Sequence, residues 1–393
     1  MSELYDVLVV GAGPVGSYLA GKLARLGHKV IVFEQQAKAG EAVCCTGIVG
    51  RECFDRFPIP EAVVYHRASS AKFFSPSGKC LRLCKETAQA YILDRPAFDR
   101  ALARKAQESG ADCLFSARVN NISLMDHRVR GDVEYKGRRD NFEGRVAILS
   151  NGFGASLPRK LGGIADFVFG AQAEVYTKGV DEVEVYFGQE VAPGFFTWLV
   201  PTSSGKALAG LLSRRKPGVY LNNFLSTLHA QGKIASAEAK ITCGALPLTP
   251  LPKTYGERII IVGDAAGQVK PTTGGGIYYG LLCADIAADV VHEALCADDL
   301  SAKRLERYEK DWKKKLSREL QVGYWARKLY EKLSDREIER VFSLATVNNI
   351  HEVLLRSPDF SFDWHSGSII NALKHKPLRQ AVWSMARSFL PSF

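Results

Sequence analysis

The stretch Tyr5-Asp-Val-Leu-Val-Val-Gly-Ala-Gly-Pro-Val-Gly16 decides the fold class. Its apolar run Val7–Val10 is typical of a parallel strand that is buried on both faces. Three glycines follow in the spacing Gly-x-Gly-x-x-Gly, and the Ala- and Leu-rich segment 17–26 predicts a helix. A second apolar run, Val30–Phe33, ends in Glu34. The order strand, glycine turn, helix and strand predicts the βαβ unit of a dinucleotide-binding, Rossmann-type domain.

Each part of this unit has a physical role in holding a dinucleotide. Gly11 permits a tight turn, Gly13 lets the backbone approach a pyrophosphate, and Gly16 lets the helix pack on the strand. The free N–H groups at the helix N-terminus favour a phosphate, and Glu34 can accept hydrogen bonds from a ribose hydroxyl pair. The predicted cofactor contacts in this unit are Gly11, Ala12, Gly13, Pro14, Val15, Gly16, Glu34 and Gln35.

Length and composition set broad limits on the class of protein. The chain has 393 residues, enough for two or three domain-sized units. Its 46% hydrophobic and 24% charged residues exclude a disordered or collagen-like chain. No apolar run reaches the ~18 residues that span a bilayer, and no signal-peptide pattern precedes the first strand, so a cytoplasmic protein is expected. The nine Cys lack CxxC spacing, which predicts reduced thiols and no metal site.

Positive charge is concentrated at the end of the chain. The net charge is +10, and residues 301–393 hold 18 Lys and Arg against 11 Asp and Glu, which leaves +7 there. Such a region can contact nucleic acid, anionic lipid or an acidic substrate, or it can be a solvated helical face. Because the sequence has no zinc finger, RRM-like aromatic motif or arginine-rich arm, nucleic acid is not expected as a partner.

The strand and helix patterns predict four segments along the chain. Alternating strands such as Val183–Phe187 indicate an antiparallel sheet, and Arg258–Val262 reads as one more buried strand. The predicted segments are 1–167, the first part of the nucleotide-binding domain with an irregular substrate-side segment at about 50–92; 168–250, an antiparallel-sheet substrate domain; 251–300, the return of the nucleotide-binding domain; and 301–393, a helical region.

The glycine motif near the start, combined with Gly263-Asp-Ala-Ala-Gly267 far downstream, resembles the FAD-dependent oxidoreductases of the p-hydroxybenzoate hydroxylase fold. The resemblance implies an α/β fold: an FAD-binding Rossmann-type domain, an inserted antiparallel-sheet substrate domain and a helical C-terminal region. Asp264 would bind the ribitol chain of FAD. Pro271-x-x-Gly274 continues the resemblance, and the following helix (277–291) would direct its N-terminal dipole at flavin N1/O2, where reduced flavin is anionic. The implied contacts here are Asp264, Gly274, Gly275, Gly276 and Ile277.

Two weaker matches and one departure complete the FAD resemblance. Arg95 in Arg95-x-x-Phe98-Asp99 is similar to the FAD-contacting arginine of that fold, and Val119 matches the usual adenine-contacting position. Many hydroxylases of this fold carry an Asp-Gly pair where this chain has Asn151-Gly-Phe-Gly154. Since that pair serves both FAD and NADPH, its absence disfavours an NADPH-driven hydroxylase.

Two further segments resemble the geranylgeranyl reductase family. Pro193-Gly-Phe-Phe-Thr-Trp-Leu-Val-Pro201 is similar to its PxxYxWxFP signature, with Phe196 in place of Tyr and Val200 in place of Phe. Cys44-Cys-Thr-Gly47 is similar to its flavin-facing cysteine loop, with Cys45 best matched to the family cysteine. The resemblance implies FAD contacts at Cys45, Thr46 and Gly47, a substrate wall of Phe196, Trp198 and Pro201, and Cys45 as the candidate catalytic residue, acting directly or by shaping the loop.

The family resemblance implies a reaction and its partners. Isolated C=C bonds of a prenyl chain on a lipid or related isoprenoid would be saturated with hydride from N5 of FADH2. NADPH or reduced ferredoxin would supply electrons, and the basic C-terminal region would contact a membrane surface. One alternative is a flavin monooxygenase or halogenase, because Phe196-x-Trp198-x-x-Pro201 also resembles the halogenase WxWxIP motif, although Phe replaces its first Trp. The other alternative is a non-catalytic flavoprotein that binds prenyl lipids.

Overall fold

The computed structural model describes residues 4–154, 163–203, 205–357 and 360–387. Two compact units emerge, and each is built from three separated parts of the chain. Unit 1 comprises Met1–Val43, Arg95–Phe167 and Leu246–Ser317. Unit 2 comprises Cys44–Asp94, Val168–Ala245 and Arg318–Phe393. In this division residues 44–94 belong with the sheet that follows residue 167, and residues 301–317 belong with the nucleotide-binding segments.

The described chain contains both strands and helices, and its last part, from Ile277 to Arg387, is helical. The strands are β1 (Leu4–Val10), β2 (Val30–Glu34), β3 (Ile48–Gly50), β4 (Val64–Ala68), β5 (Ser70–Phe74), β6 (Cys80–Cys84), β7 (Ala90–Leu93), β8 (Asp112–Phe115), β9 (Ala117–Leu124), β10 (Val129–Tyr135), β11 (Arg138–Leu149), β12 (Phe167–Tyr176), β13 (Val183–Phe187), β14 (Phe196–Pro201), β15 (Lys206–Ser213), β16 (Ile241–Pro247), β17 (Tyr255–Gly256) and β18 (Ile259–Ile261). The α-helices are α1 (Pro14–Arg25), α2 (Arg51–Arg56), α3 (Arg95–Glu108), α4 (Pro217–Ala230), α5 (Ile277–Cys296), α6 (Ala302–Tyr330), α7 (Asp335–Val347), α8 (Ile350–Arg356), α9 (Ser366–Lys374) and α10 (Lys376–Arg387).

Unit 1 is built on a sheet with the strand order β17-β18-β11-β1-β2-β8, and β10 and β9 extend it from β11. The central strand β1 pairs in parallel with both β2 and β11. Val7, Leu8 and Val9 are fully buried, as the apolar run predicts. Helix α1 packs against α3 and α5. It begins at Pro14 rather than residue 17, because proline suits the first helical position.

Unit 2 contains a sheet with the order β16-β12-β15-β14-β13-β5-β6 and a smaller sheet, β3-β7-β4. The pairs β12–β15, β14–β15, β13–β14 and β5–β6 are antiparallel, as predicted. The pair β13–β5 is parallel, which makes the larger sheet mixed. The predicted fold class is therefore confirmed, with one parallel pair added to the predicted antiparallel sheet.

Two sequence predictions about local structure were wrong. The segment at about 50–92 is not irregular, since it contains α2, β4, β5, β6 and most of β7. These strands are only four or five residues long, and prolines stand between them, so their pattern resembles a loop. Helix α4 lies within the region read as strands only. Its buried residues Leu221, Phe224, Leu225 and Leu228 show the i, i+3, i+4, i+7 spacing that could have revealed it.

The helical prediction for the region after residue 300 is confirmed by α6 to α10. Helix α5 ends at Cys296, one turn beyond the predicted residue 291. Within the described part of the chain, no helix combines the length and the apolar character that crossing a membrane requires.

Candidate functional site

The glycine turn of unit 1 is shaped by its own backbone at two positions and is open at the third. Gly11 has φ +100°, a conformation that favours glycine. A Cβ on Gly16 would lie 2.0 Å from the Gly11 carbonyl oxygen, so the helix can approach the turn only with glycine there. A Cβ on Gly13 would meet nothing within 4 Å. The space beside Gly13 is therefore available to a ligand.

Polar groups around this space can bind an anion and a hydrogen-bond donor. Helix α1 has Gly13 as its N-cap, no side-chain cap and no acidic residue in its first turn, so positive dipole and free N–H groups face outward from its start. Next to the turn, the buried Oδ1 of Asn151 has no hydrogen-bond partner. A buried acceptor without a partner is costly, and a bound donor would satisfy it.

The Glu34 carboxylate accepts a hydrogen bond from the backbone of the glycine turn. Its Oε2 accepts a 2.9 Å hydrogen bond from the Ala12 N–H, and its Oε1 accepts a 2.9 Å bond from the Gln36 N–H. Each carboxylate oxygen keeps a further lone pair for a ligand hydroxyl. Glu34 thus fixes the turn as well as standing at the predicted ribose position, while its neighbour Gln35 is exposed.

Arg95 connects two carboxylates that are far apart in the sequence. At the start of α3 its Nη2 lies 3.1 and 3.3 Å from the two carboxylate oxygens of Asp99, and both side chains are almost fully buried. Burial raises the pKa of Asp99, and the Arg95 charge opposes that rise. Burial likewise raises the pKa of Asp264, again opposed by Arg95. The structure therefore brings Asp264 and Arg95 into one electrostatic environment.

The downstream glycines lie directly against Asp264. A Cβ on Gly276 would lie 2.3 Å from Asp264 Oδ1, so this carboxylate contacts the backbone at the start of α5. Gly274 has φ +76°, and its N–H donates a 2.8 Å bond to the Lys270 carbonyl, which closes the turn. Helix α5 then begins at Ile277 with no side-chain cap. Unit 1 thus assembles predicted residues from both ends of the chain.

Two other predicted cofactor contacts of unit 1, Val15 and Val119, are packed against their neighbours. A Cβ on Gly280 would lie 2.6 Å from a methyl group of Val15, so the first turns of α5 and α1 are in close contact. Val119 is buried on β9 within the same core cluster as Phe33. It stands beside the β2 strand that ends in Glu34, but an adenine contact at Val119 stays a prediction.

The cysteine loop belongs to unit 2. The Cys45 sulfur accepts a 3.4 Å bond from the Gly47 N–H, and Thr46 Oγ1 donates a 2.7 Å bond to Gln172 Oε1. Cys44 Sγ donates to the Thr242 carbonyl at 3.5 Å. Burial, together with Cys45 and Cys243, raises the pKa of the Cys44 thiol to about 11. The loop is thus tied to β12 and β16, and its role as an FAD contact stays a prediction.

The aromatic motif of unit 2 lies on β14. Trp198 stands opposite Gly210 of β15, and a Cβ on Gly210 would lie 2.6 Å from the indole ring. The indole therefore covers a glycine, while its other neighbours include Ile92 and Val200. The rings of Phe196 and Trp198 are 6.2 Å apart in an edge-to-face arrangement. The buried indole Nε1 has no hydrogen-bond partner.

Three side chains that contact the backbone just before β14 were not predicted from the sequence. Arg327 of α6 is buried, its guanidinium lies 3.2 Å from the centre of the Phe195 ring, and its Nη2 donates to the Gly194 carbonyl. Burial lowers the pKa of Arg327 to about 10. Tyr330 donates a 2.8 Å bond to the Phe195 carbonyl, and Gln189 Oε1 accepts a 3.1 Å bond from the Gly194 N–H. Three side chains thus fix the backbone just before Phe196.

Three comparisons with known proteins each found a match over most of this chain. Residues 6–348 match a family model described as lycopene cyclase protein. The chain is 32% identical over 355 residues to the digeranylgeranylglycerophospholipid reductase of Methanocaldococcus jannaschii, which covers 86% of this chain and 90% of that protein. A geranylgeranyl bacteriochlorophyll reductase-like protein from Thermoplasma acidophilum superposes with a TM-score of 0.84 at 22% identity, over 98% of this chain and 99% of that one.

The fold extends to a more distant class of flavoprotein. A mutant of the halogenase PltM, solved in complex with FAD, superposes with a TM-score of 0.66 at 14% identity, over 97% of this chain and 85% of that one. At this identity the likeness concerns the fold alone. The identity to the digeranylgeranylglycerophospholipid reductase over most of both chains shows that this chain is an oxidoreductase of the geranylgeranyl reductase family, with the FAD-dependent fold that this family shares with halogenases.

Proposed function

We propose that this chain is an FAD-dependent reductase that saturates isolated C=C bonds in the geranylgeranyl chains of a glycerophospholipid. The observation that carries the proposal is the 32% identity to a digeranylgeranylglycerophospholipid reductase over nearly the whole of both chains. The open glycine turn of unit 1 and the aromatic strand of unit 2 supply, respectively, the kind of surface that a dinucleotide and an apolar chain require.

FAD is the proposed resident cofactor, and the residues of unit 1 fit it. The space beside Gly13 and the uncapped start of α1 suit a diphosphate. The unpartnered Oδ1 of Asn151 suits a donor, and Asp264 suits a polyol hydroxyl. When bound and reduced, FAD supplies a hydride. The uncapped N-terminus of α5 would stabilise negative charge placed near it.

Glu34→Ala is expected to weaken FAD binding by about 1–3 kcal/mol, because it removes a charge-assisted acceptor for the ribose and also the support that Ala12 receives. Equilibrium dialysis of the apoprotein against FAD measures the change. Glu41→Ala is the matched control, since Glu41 is an exposed acid of the same unit. An unchanged dissociation constant in Glu34→Ala would show that Glu34 contacts no part of the cofactor.

In unit 2, Phe196 and Trp198, which share one face of β14, are proposed to form a wall for the isoprenoid chain, whereas Pro201 ends the strand at a position of the opposite face. An isolated alkene has no carbonyl to polarise, so the protein can orient it only by shape and by excluding water. The indole of Trp198 is held between Gly210 and the side chains around Ile92, which fixes its position. A rigid aromatic surface of this kind supports the proposal.

Trp198→Ala is expected to keep FAD bound and to slow reoxidation of the reduced flavin by a prenyl lipid by roughly tenfold to hundredfold, since misplacing the reacting carbon by about 1 Å has effects of this size. Anaerobic stopped-flow absorbance follows the reoxidation. Trp325→Ala is the matched control, because the Trp325 side chain is 70% exposed. If Trp198→Ala reacts at the wild-type rate, Trp198 belongs to the core and not to the substrate wall.

Cys45 is proposed as the candidate catalytic residue. Its sulfur accepts the Gly47 N–H, which leaves the thiol hydrogen available to a neighbouring carbon. The neighbouring Cys44 already donates its thiol hydrogen to Thr242. The two adjacent cysteines therefore differ in what their thiols can do, and this difference favours Cys45 over Cys44.

Membrane contact and the electron donor complete the proposal. Helix α10 buries Leu378 and Ala381, whereas Lys376, Arg379 and Trp383 are exposed. A basic helix with an exposed tryptophan suits an anionic lipid surface, where a phospholipid substrate resides. NADPH or reduced ferredoxin is proposed as the source of electrons.

Anaerobic incubation of the dithionite-reduced holoprotein with a digeranylgeranylglycerophospholipid tests the function. Mass spectrometry should show lipid products that are heavier in steps of two hydrogen atoms. A new product of the same mass but a different chromatographic retention time would instead indicate a cyclisation, the second candidate that the lycopene cyclase model suggests. A product with an added oxygen atom under air would indicate a monooxygenase. Bound lipid that never changes would indicate a non-catalytic carrier.

A further inference from the structure

Three potential metal ligands meet in unit 1 at the end of α1 opposite its glycine turn. They are His28, His292 and Cys296, and one ligand atom from each lies within 4.8 Å of the other two. His28 Nε2 is 2.8 Å from His292 Nδ1, and Cys296 Sγ is 3.8 Å from the same nitrogen. Neither the proposed cofactor contacts nor the isoprenoid wall uses any of these side chains.

The local structure explains why the three side chains converge. Helix α1 ends at Arg25, and Gly27, with φ +88°, reverses the chain so that His28 follows directly. His292 and Cys296 are four residues apart on α5, so they lie on the same face of that helix. Since α1 packs against α5, the reversal after α1 brings His28 to this face.

The distances are close to those of a tetrahedral metal site. With Zn–N near 2.0–2.1 Å and Zn–S near 2.3 Å, neighbouring ligand atoms are separated by roughly 3.3 Å for two nitrogens and 3.6 Å for nitrogen and sulfur. The observed nitrogen–nitrogen separation of 2.8 Å is about 0.5 Å shorter than this, and the nitrogen–sulfur separation of 3.8 Å is about 0.2 Å longer. The ligand atoms of His28 and Cys296 lie within 4.8 Å of each other, so side-chain rotations of His28 and Cys296 would be needed to admit an ion.

The electrostatic surroundings also suit a cation. Both α1 and α5 direct their C-terminal ends, where the helix dipole is negative, toward the cluster. The nearby Arg145 charge is balanced by Asp6 at 3.1 Å and Asp298 at 2.6 Å.

We propose that His28, His292 and Cys296 form a binding site for a borderline transition-metal ion, best represented by Zn²⁺, with a fourth position left for water. Two imidazoles and one thiolate are ligands that zinc accepts, whereas calcium and magnesium require oxygen ligands. Such an ion would clamp the end of α1 to the end of α5. His292 and Cys296 belong to α5, and His28 follows the C-terminal end of α1. The site would therefore join, at their C-terminal ends, the two helices whose N-terminal ends border the proposed FAD site.

Zinc binding to the full-length, untagged holoprotein with reduced thiols tests the proposal. Competition against a chromophoric chelator should give about one high-affinity Zn²⁺ per chain, and Cys296→Ser and His292→Ala should each weaken it at least tenfold. Cys296 is exposed, so its substitution leaves the fold intact. Co²⁺ should show a thiolate-to-metal charge-transfer band in the wild type that Cys296→Ser removes. The exposed cysteine variant Cys84→Ser is the matched control and should bind as the wild type does.

Two outcomes would overturn the assignment. The first is a wild-type chain that binds no Zn²⁺, or a Cys296→Ser variant that retains both Zn²⁺ affinity and the Co²⁺ charge-transfer band. The second is loss of binding in Cys243→Ser but not in Cys296→Ser, which would place the ion near Cys44 in unit 2. Since the readouts are metal affinity and absorbance, the result does not depend on whether the chain reduces prenyl lipids.

Discussion

Gly16→Ala is expected to abolish FAD retention and to destabilise the protein by about 1–3 kcal/mol, the usual cost of overpacking. In an ordinary helix the same change would stabilise by roughly 0.5–1 kcal/mol, because alanine has less backbone freedom to lose than glycine. Here the sign reverses, since the new methyl group would lie 2.0 Å from the Gly11 carbonyl oxygen and 2.5 Å from Ser150 Oγ. The first contact is with a backbone oxygen, and a Cβ has no rotamer, so no side-chain rotation relieves it.

The Gly13→Ala variant tests ligand binding independently of protein stability. A Cβ on Gly13 meets no protein atom within 4 Å, so the apoprotein should unfold at the wild-type denaturant concentration. FAD affinity should nonetheless fall at least tenfold, because the methyl group occupies the space proposed for the diphosphate. Denaturant unfolding of the apoprotein and the flavin-to-protein absorbance ratio after gel filtration measure the two effects. Normal FAD retention in both glycine variants would contradict the proposed position of the diphosphate.

The first βαβ unit could be predicted closely because its signals are local. A buried parallel strand requires a continuous apolar run, and the glycine spacing follows from contacts made within the same turn. The start of α1 differs from the prediction only because Pro14 was read as part of the loop. The approach of Asp264 to Arg95 is not local, and only the family resemblance suggested that both would belong to one site.

The structure of unit 2 was harder to predict from the sequence, because its short strands depend on partners that are distant in the chain. Strand β3 has three residues and pairs with β7, more than forty residues further along the chain. So short a strand has no periodicity to detect, and its stability depends on the partner. The same applies to His28, which meets His292 and Cys296 only after the helices pack. The spacing of His292 and Cys296 was the one local signal for that cluster.

Arg327 is a residue whose contacts could not be predicted from sequence motifs. Its partners are Phe195 and the Gly194 carbonyl, which lie in the recognised motif, but nothing in the surrounding sequence of α6 distinguishes it from the exposed basic residues of that helix. Its burial distinguishes it, since only 3% of the residue is exposed. A buried guanidinium that stacks on an aromatic ring and donates to a carbonyl combines two interactions that lysine cannot reproduce together. We therefore propose that Arg327 positions the aromatic wall through these two contacts.

Arg327→Met is expected to slow reduction of a prenyl lipid at least tenfold while FAD binding stays normal, and to destabilise the protein by about 1–3 kcal/mol. The cost in stability comes from the Gly194 carbonyl, which loses a buried donor. The larger cost of about 3–5 kcal/mol for an abandoned buried charge does not apply, because Glu331 keeps Arg214 as a partner at 2.6 Å. The rate falls because the backbone before Phe196 loses one of the three side chains that hold it.

Three further variants decide whether this effect is one of position or of general packing. Arg327→Lys should recover less than half of the lost rate, since an ammonium group lacks the planar surface that lies on Phe195. Tyr330→Phe, which removes only the hydrogen bond to the Phe195 carbonyl, should lower kcat with little change in KM. Arg356→Met is the matched control, because the Arg356 side chain is 84% exposed. If Arg327→Met and Tyr330→Phe lose stability but reduce the lipid at the wild-type rate, the residues behind β14 support the core without positioning the wall.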